Sequence, residues 1–134
     1  MFVKGLIGLF VLVLWCTTAQ AQHIESQEFL LQNASVAAAA NGAPMPVDHY
    51  TSVAVDVTVS VTGNVNFEAS GAGGVWSSTT CVQSSVAART HVAVATATGL
   101  FQCNVAGFQS FRARTDTNAG SITVFARATT APFE

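Results

Sequence analysis

The stretch Tyr50-Thr-Ser-Val-Ala-Val-Asp-Val-Thr-Val-Ser-Val-Thr-Gly-Asn-Val-Asn-Phe-Glu-Ala-Ser70 decides the fold. Val53, Val55, Val57, Val59 and Val61 alternate with Ala54, Asp56, Thr58, Ser60 and Thr62. Side chains of an extended chain point to opposite faces in turn, so a period of two describes a half-buried β-strand. Gly63-Asn64 supplies turn residues, after which Val65, Phe67 and Ala69 alternate with Asn66, Glu68 and Ser70. The two runs read as a β-hairpin.

The same pattern continues towards the C-terminus. Gly71-Ala-Gly-Gly74 is a loop, and Val75-Trp76 opens a strand running towards Val82. Residues 89–98 alternate again, with Val92 and Val94 set against His91, Ala93 and Ala95. Beyond Gly99, the residues Phe101, Cys103 and Val105 form an apolar face opposite Gln102 and Asn104. Ala106-Gly107 turns the chain into Phe108-Gln-Ser-Phe-Arg-Ala-Arg114, and Asp116-Thr-Asn-Ala-Gly120 is a loop of turn residues. Ser121-Ile-Thr-Val-Phe-Ala-Arg-Ala128 closes the domain, with Ile122, Val124 and Ala126 on one side. About seven strands result, at the spacing usual in antiparallel sandwiches and barrels. Strands so rich in Ser, Thr and Val bury enough apolar surface only when one sheet covers another. The expected fold is therefore all-β, an antiparallel two-sheet β-sandwich of jelly-roll or Ig-like type over residues 49–134, with a closed barrel as the alternative.

Upstream, residues 22–48 read as a leader and linker. Glu28-Phe-Leu-Leu-Gln32 suits a short strand or a helical turn, while the alanine run that follows is cut short by Asn41-Gly42, Pro44 and Pro46. Asn33-Ala34-Ser35 is a glycosylation sequon, relevant only in a host that glycosylates. At the start of the chain Lys4 precedes an uncharged apolar run, residues 5–15, shorter than the roughly 20 residues a membrane span needs. Thr17-Thr-Ala-Gln-Ala21 follows with small residues where signal peptidase cuts, so residues 1–21 read as a signal peptide removed after Ala21. A retained anchor and a lipoprotein acylated on Cys16 are the alternatives, and Trp15 is too bulky for the position before an acylated cysteine. The expected destination is the periplasm or the extracellular space, with no stable membrane insertion after cleavage.

Beyond the signal there is no lysine, and Arg89, Arg112, Arg114 and Arg127 stand against Glu25, Glu28, Asp48, Asp56, Glu68, Asp116 and Glu134. Nucleic-acid binding needs a clustered basic excess to neutralise phosphates, which this balance does not supply. With Cys16 lost, Cys81 and Cys103 remain. An oxidising compartment favours a disulfide between them, worth about 3 kcal/mol by chain entropy, and two buried thiols are the other reading. Two cysteines alone make a poor metal site, since structural zinc takes four ligands.

Nothing in the chain carries a catalytic signature such as G-x-S-x-G, H-E-x-x-H or a P-loop. His23, His49 and His91 stand apart, and Asp48-His49 are adjacent residues that an extended chain directs to opposite faces. Asp56 and Glu68 fall on the polar sides of consecutive strands and could approach one another as glycosidase acids do, although solvated acids are the simpler reading. A non-enzymatic protein without cofactors is expected. Trp76, after the glycine-rich loop, suits either sugar stacking or a place in the core. If Ile122, Val124 and Ala126 point inward with Phe111 and Ala113, then Arg112, Arg114, Phe125 and Arg127 share the opposite face of the last hairpin. Arginine and aromatic residues concentrate at interface hot spots, so this face and Trp76 are the candidate contact surface. Charges that discourage edge-to-edge aggregation are the plainer account.

Residues 65–129 resemble a small all-β domain recurrent in structural proteins of tailed phages and prophages. The matching pieces are Asn66-Phe-Glu-Ala-Ser70, the approach to Trp76, Gly99-Leu-Phe101, Asn104-Val-Ala-Gly-Phe108, Phe111-Arg-Ala-Arg114, Gly120-Ser-Ile-Thr-Val124 and Arg127-Ala-Thr129. The resemblance implies a β-sandwich used in virion or fibre architecture, with no catalytic residues to carry over. A signal peptide and a cysteine pair depart from that pattern and suit an exported protein. The expected function is an exported structural or adhesion protein that assembles with itself or docks onto a larger fibre, envelope or virion. A secreted carbohydrate-binding module, with a glycan as partner, is the alternative.

Overall fold

A computed structural model describes residues 26–36, 39–84 and 89–130. The expected signal peptide and its cleavage site lie outside the described residues, as does His23. Twelve strand segments run in order through the described chain: β1 (Ser26–Ser35), β2 (Ala40–Asn41), β3 (Met45–Pro46), β4 (Ser52–Val59), β5 (Gly63–Ser70), β6 (Trp76–Ser78), β7 (Cys81–Gln83), β8 (His91–Val92), β9 (Val94–Ala95), β10 (Gly99–Asn104), β11 (Ser110–Asn118) and β12 (Ile122–Thr129). They form two sheets. The first has the order β1-β12-β4-β10-β7-β8, and the second β2-β11-β5-β6, with β3 also on β11 and β9 also on β5. Every pairing is antiparallel. The all-β two-sheet sandwich expected from the alternation is the observed architecture.

The core lies between the sheets. Val53, Val55 and Val57 of β4, Phe101 and Cys103 of β10, and Ile122, Val124 and Ala126 of β12 face Val65 and Phe67 of β5 and Phe111 and Ala113 of β11. Phe67 is its centre, with its ring centroid 5.2 Å from that of Phe101 across the sandwich and 6.4 Å from that of Phe111 beside it. Burial of these side chains, at roughly 1.5–3 kcal/mol each, is the driving force that holds the two layers together.

The pairing differs from the sequence reading in four places. β4 and β5 are not a hairpin, because β4 lies between β12 and β10 in the first sheet and β5 between β11 and β6 in the second. Nor do β11 and β12 pair, being again in opposite sheets. Alternation gives each strand one apolar face, and that face can be turned inward from either layer. The runs 75–82 and 89–98 likewise switch layers midway: β6 and β9 pair with β5, whereas β7 and β8 pair with each other beside β10. At the first of these switches Thr79 donates its N–H to the Phe67 carbonyl (2.9 Å) and its hydroxyl to that of Asn104 (2.9 Å), tying one layer to the other.

Within the stretch read as a leader and linker, the described residues 26–36 and 39–48 carry β1, β2 and β3. β1 pairs along its length with β12, interrupted by two register shifts, and turns Leu31 fully and Phe29 partly inward. A latch then joins β1 to the second sheet. The buried Gln32 amide donates to the carbonyls of Ala40 (3.1 Å) and Ala113 (3.0 Å), and Gly42 and Ala43 donate to Ala113 (2.9 Å) and Leu31 (3.0 Å). A Cβ at position 42 would collide with the backbone oxygens of Ala113 and Leu31, so glycine permits this close approach.

Candidate functional site

The outer face of the second sheet is built from two strands. In β11 the residues Phe111, Ala113 and Thr115 point inward, leaving Arg112, Arg114 and Asp116 outside. In β5 the outward residues are Asn66, Glu68 and Ser70, and register sets Glu68 opposite Arg112 and Asn66 opposite Arg114. Glu68 accepts a hydrogen bond from Arg112 Nε at 2.8 Å and another from Arg114 Nε at 2.9 Å. Arg114 Nη1 also pairs with Asp116, whose second carboxylate oxygen accepts from Asn66 Nδ2 at 2.6 Å. The Arg112 guanidinium lies 4.2 Å from the centroid of Trp76.

Burial pushes the Glu68 carboxyl up, and the hydrogen bonds from Arg114 and Arg112, with their charges, outweigh it and hold the group below its ordinary value. The hydrogen bond to Glu68 raises Arg114 in return. Two cations and two anions thus neutralise each other in one connected network. Glu68 is no solvated acid. It does not approach Asp56, which stands on the outer face of the other sheet. Trp76 is neither in the core nor an open stacking platform, since a guanidinium covers one side of its half-buried ring.

The five residues of the expected contact surface therefore divide. Arg112, Arg114 and Trp76 come together on the second sheet, while Phe125 and Arg127 of β12 lie on the outer face of the first. The reason is the layer switch between β11 and β12, which puts the two strands' polar phases on opposite sides of the molecule.

On the first sheet, register aligns Leu100, Asp56, Phe125 and Leu30 in one row across β10, β4, β12 and β1. The next row places Ala54 beside Arg127 and Arg127 beside Glu28, with Arg127 Nη2 2.9 Å from Glu28 Oε2. Between these rows lies a shallow depression of about 390 Å³, walled by Leu100 and Phe125, floored by Ala54 and edged by Asp56, Arg127 and Glu28. Leu30, Leu100 and Phe125 are each more than 40% exposed, which makes this an apolar patch open to solvent. Sequence reasoning found Phe125 and missed Leu30 and Leu100. The available signal was phase, for each is a large apolar residue at the position where its strand otherwise turns a polar side chain outward.

The two cysteines form a disulfide, Cys81 of β7 to Cys103 of β10, directly opposite one another in register and fully buried. His49 pairs with Asp48 at 3.1 Å on the surface, and His91 is exposed on the edge strand β8.

No protein family matches the chain, and no curated protein does. Among solved structures, the fold is shared with proteins of two prophages. The SPBc2 prophage-derived protein YomS is similar over 79% of this chain and 94% of its own, at 15% identity and a TM-score of 0.72. The PBSX exported protein XepA is similar over 96% of this chain and 48% of its own, at 17% identity and a TM-score of 0.75. The chain thus spans about half the length of XepA. At such identities the likeness is one of fold.

Proposed function

We propose that this chain is an exported, non-enzymatic structural or adhesion protein of phage or prophage origin, acting by assembly with its own copies or by docking onto a larger fibre, envelope or virion. The observation that carries this reading is the outer face of the first sheet, where Leu30 and Phe125 side by side, and Leu100 across Asp56 from them, keep large apolar side chains in water in one row. Such a row is a liability in an isolated domain and an asset at a contact. The opposite face, by contrast, has satisfied its charges internally. Export is supported by the apolar run of residues 5–15 with the small residues that follow it up to Ala21, by a buried disulfide that suits an oxidising compartment, and by the description of XepA as an exported protein. Prophage origin is supported by the fold shared with YomS and XepA.

Light scattering coupled to size-exclusion chromatography tests the assembly reading on residues 22–134 produced by export. A discrete oligomer or a growing polymer is expected. A protein that stays monomeric at the highest soluble concentration would remove self-assembly.

A further inference from the structure

Among the described residues the acids are almost all committed. Glu28 pairs with Arg127, Asp48 with His49, and Glu68 and Asp116 with Arg112 and Arg114. Asp56 is exposed, has no ion pair among the described residues, and sits at the rim of the first-sheet depression. The cations show the complementary gap. Arg112, Arg114 and Arg127 are paired, while Arg89 is exposed without an ion pair among the described residues. Among the described residues one carboxylate and one guanidinium are left over.

They do not pair within one molecule. Asp56 of β4 stands opposite Leu100 of β10, whose carbonyl accepts from the Ser84 amide at the end of β7, and Arg89 lies in the connection from β7 to β8. Three strand spacings amount to about 14 Å, a span that only two fully extended side chains aimed at each other would approach. They lie on the same sheet, however, and the surroundings of Asp56 suit a guanidinium. Phe125 is directly opposite Asp56 in register on one side and Leu100 on the other. A planar cation can stack on the phenyl face and lay its methylene stem along leucine while pairing bidentately with the carboxylate.

We propose that the depression on the outer face of the first sheet receives Arg89 from a second copy of this chain, with its guanidinium on Asp56 between Phe125 and Leu100. The inference rests on the self-assembly reading above and names its contact. A reciprocal arrangement, with both Asp56–Arg89 bridges made across one interface, gives a dimer. A one-way arrangement gives a ring or a filament. Covering the pair with apolar side chains lowers the local dielectric and strengthens it, and leaves it sensitive to salt until it is covered.

The test is sedimentation velocity on exported residues 22–134 as the parent, Asp56→Asn, Arg89→Gln, and the double reversal Asp56→Arg with Arg89→Asp. Each single variant is expected to weaken association about tenfold or more, and the double reversal to recover it. Both single variants should keep the parent's circular dichroism and melting temperature, because both positions are exposed. Single variants that associate like an oligomeric parent, or a double reversal that recovers nothing, would overturn the bridge and leave self-assembly standing. A monomeric parent would overturn both.

Discussion

Glu68 occupies a position on β5 where a sheet ordinarily turns a solvated side chain, and yet its side chain is only 12% exposed beneath two guanidinium groups. Its outward phase is legible in the sequence. Its partners are not, because they depend on β5 lying beside β11 rather than β4, a pairing between residues more than forty positions apart. Removing one member of a buried ion pair leaves the others uncompensated, so Glu68→Gln should destabilise the fold by about 2–3 kcal/mol, somewhat less than for a fully enclosed pair. The sign of the pH dependence follows from the depressed carboxyl. Its stabilisation is fully present above the ordinary value of 4.5 and is lost as pH falls through the lower folded-state value. Urea unfolding at neutral pH and at about pH 3 measures this linkage, and the gap between parent and Glu68→Gln should narrow in acid. A gap of constant size would show that the carboxylate charge contributes nothing.

Strand existence was easier to read than strand partnership. The valines of β4 and the Val65, Phe67, Ala69 run of β5 announce themselves by period, but Gly63-Asn64 opens β5 instead of making a tight turn, and residues 60–62 before it cross from one layer to the other. β1 was legible only as a doubtful strand, since its apolar content is the short Phe29-Leu-Leu31 run and its partner β12 lies about a hundred residues away. The cysteines, in contrast, needed no topology to be paired. They close a separation of 22 residues and fasten β7, three residues long, to β10. Replacing both by alanine should lower unfolding free energy by about 3 kcal/mol, read as a lower urea midpoint for the exported protein. Because β8 is held to the first sheet through β7, amide exchange in β7 and β8 should rise before exchange in β4 or β12 does. An unchanged midpoint would mean that the bond adds nothing to packing already in place.

At the scale of the whole molecule, the sandwich separates two tasks onto its two outer faces. The second sheet carries a neutral, internally bonded network that contributes to folding, and the first carries an apolar row that folding leaves exposed. Grouping Arg112, Arg114, Phe125 and Arg127 on one surface conceals this division, since composition and phase do not say on which layer a strand lies. If the division is real, stability and assembly respond to different substitutions. Phe125→Ser removes the aromatic wall of the depression from an exposed position, so unfolding free energy should stay within about 0.5 kcal/mol of the parent while self-association weakens. Glu68→Gln should do the reverse, shifting the urea midpoint and leaving the oligomer mass unchanged at temperatures where both proteins are folded. Measuring both properties on both variants sets the contact face against the folding face directly. A Phe125→Ser protein that assembles like its parent would move the contact away from this depression, because the substitution removes its aromatic wall while leaving the core and the charge network untouched.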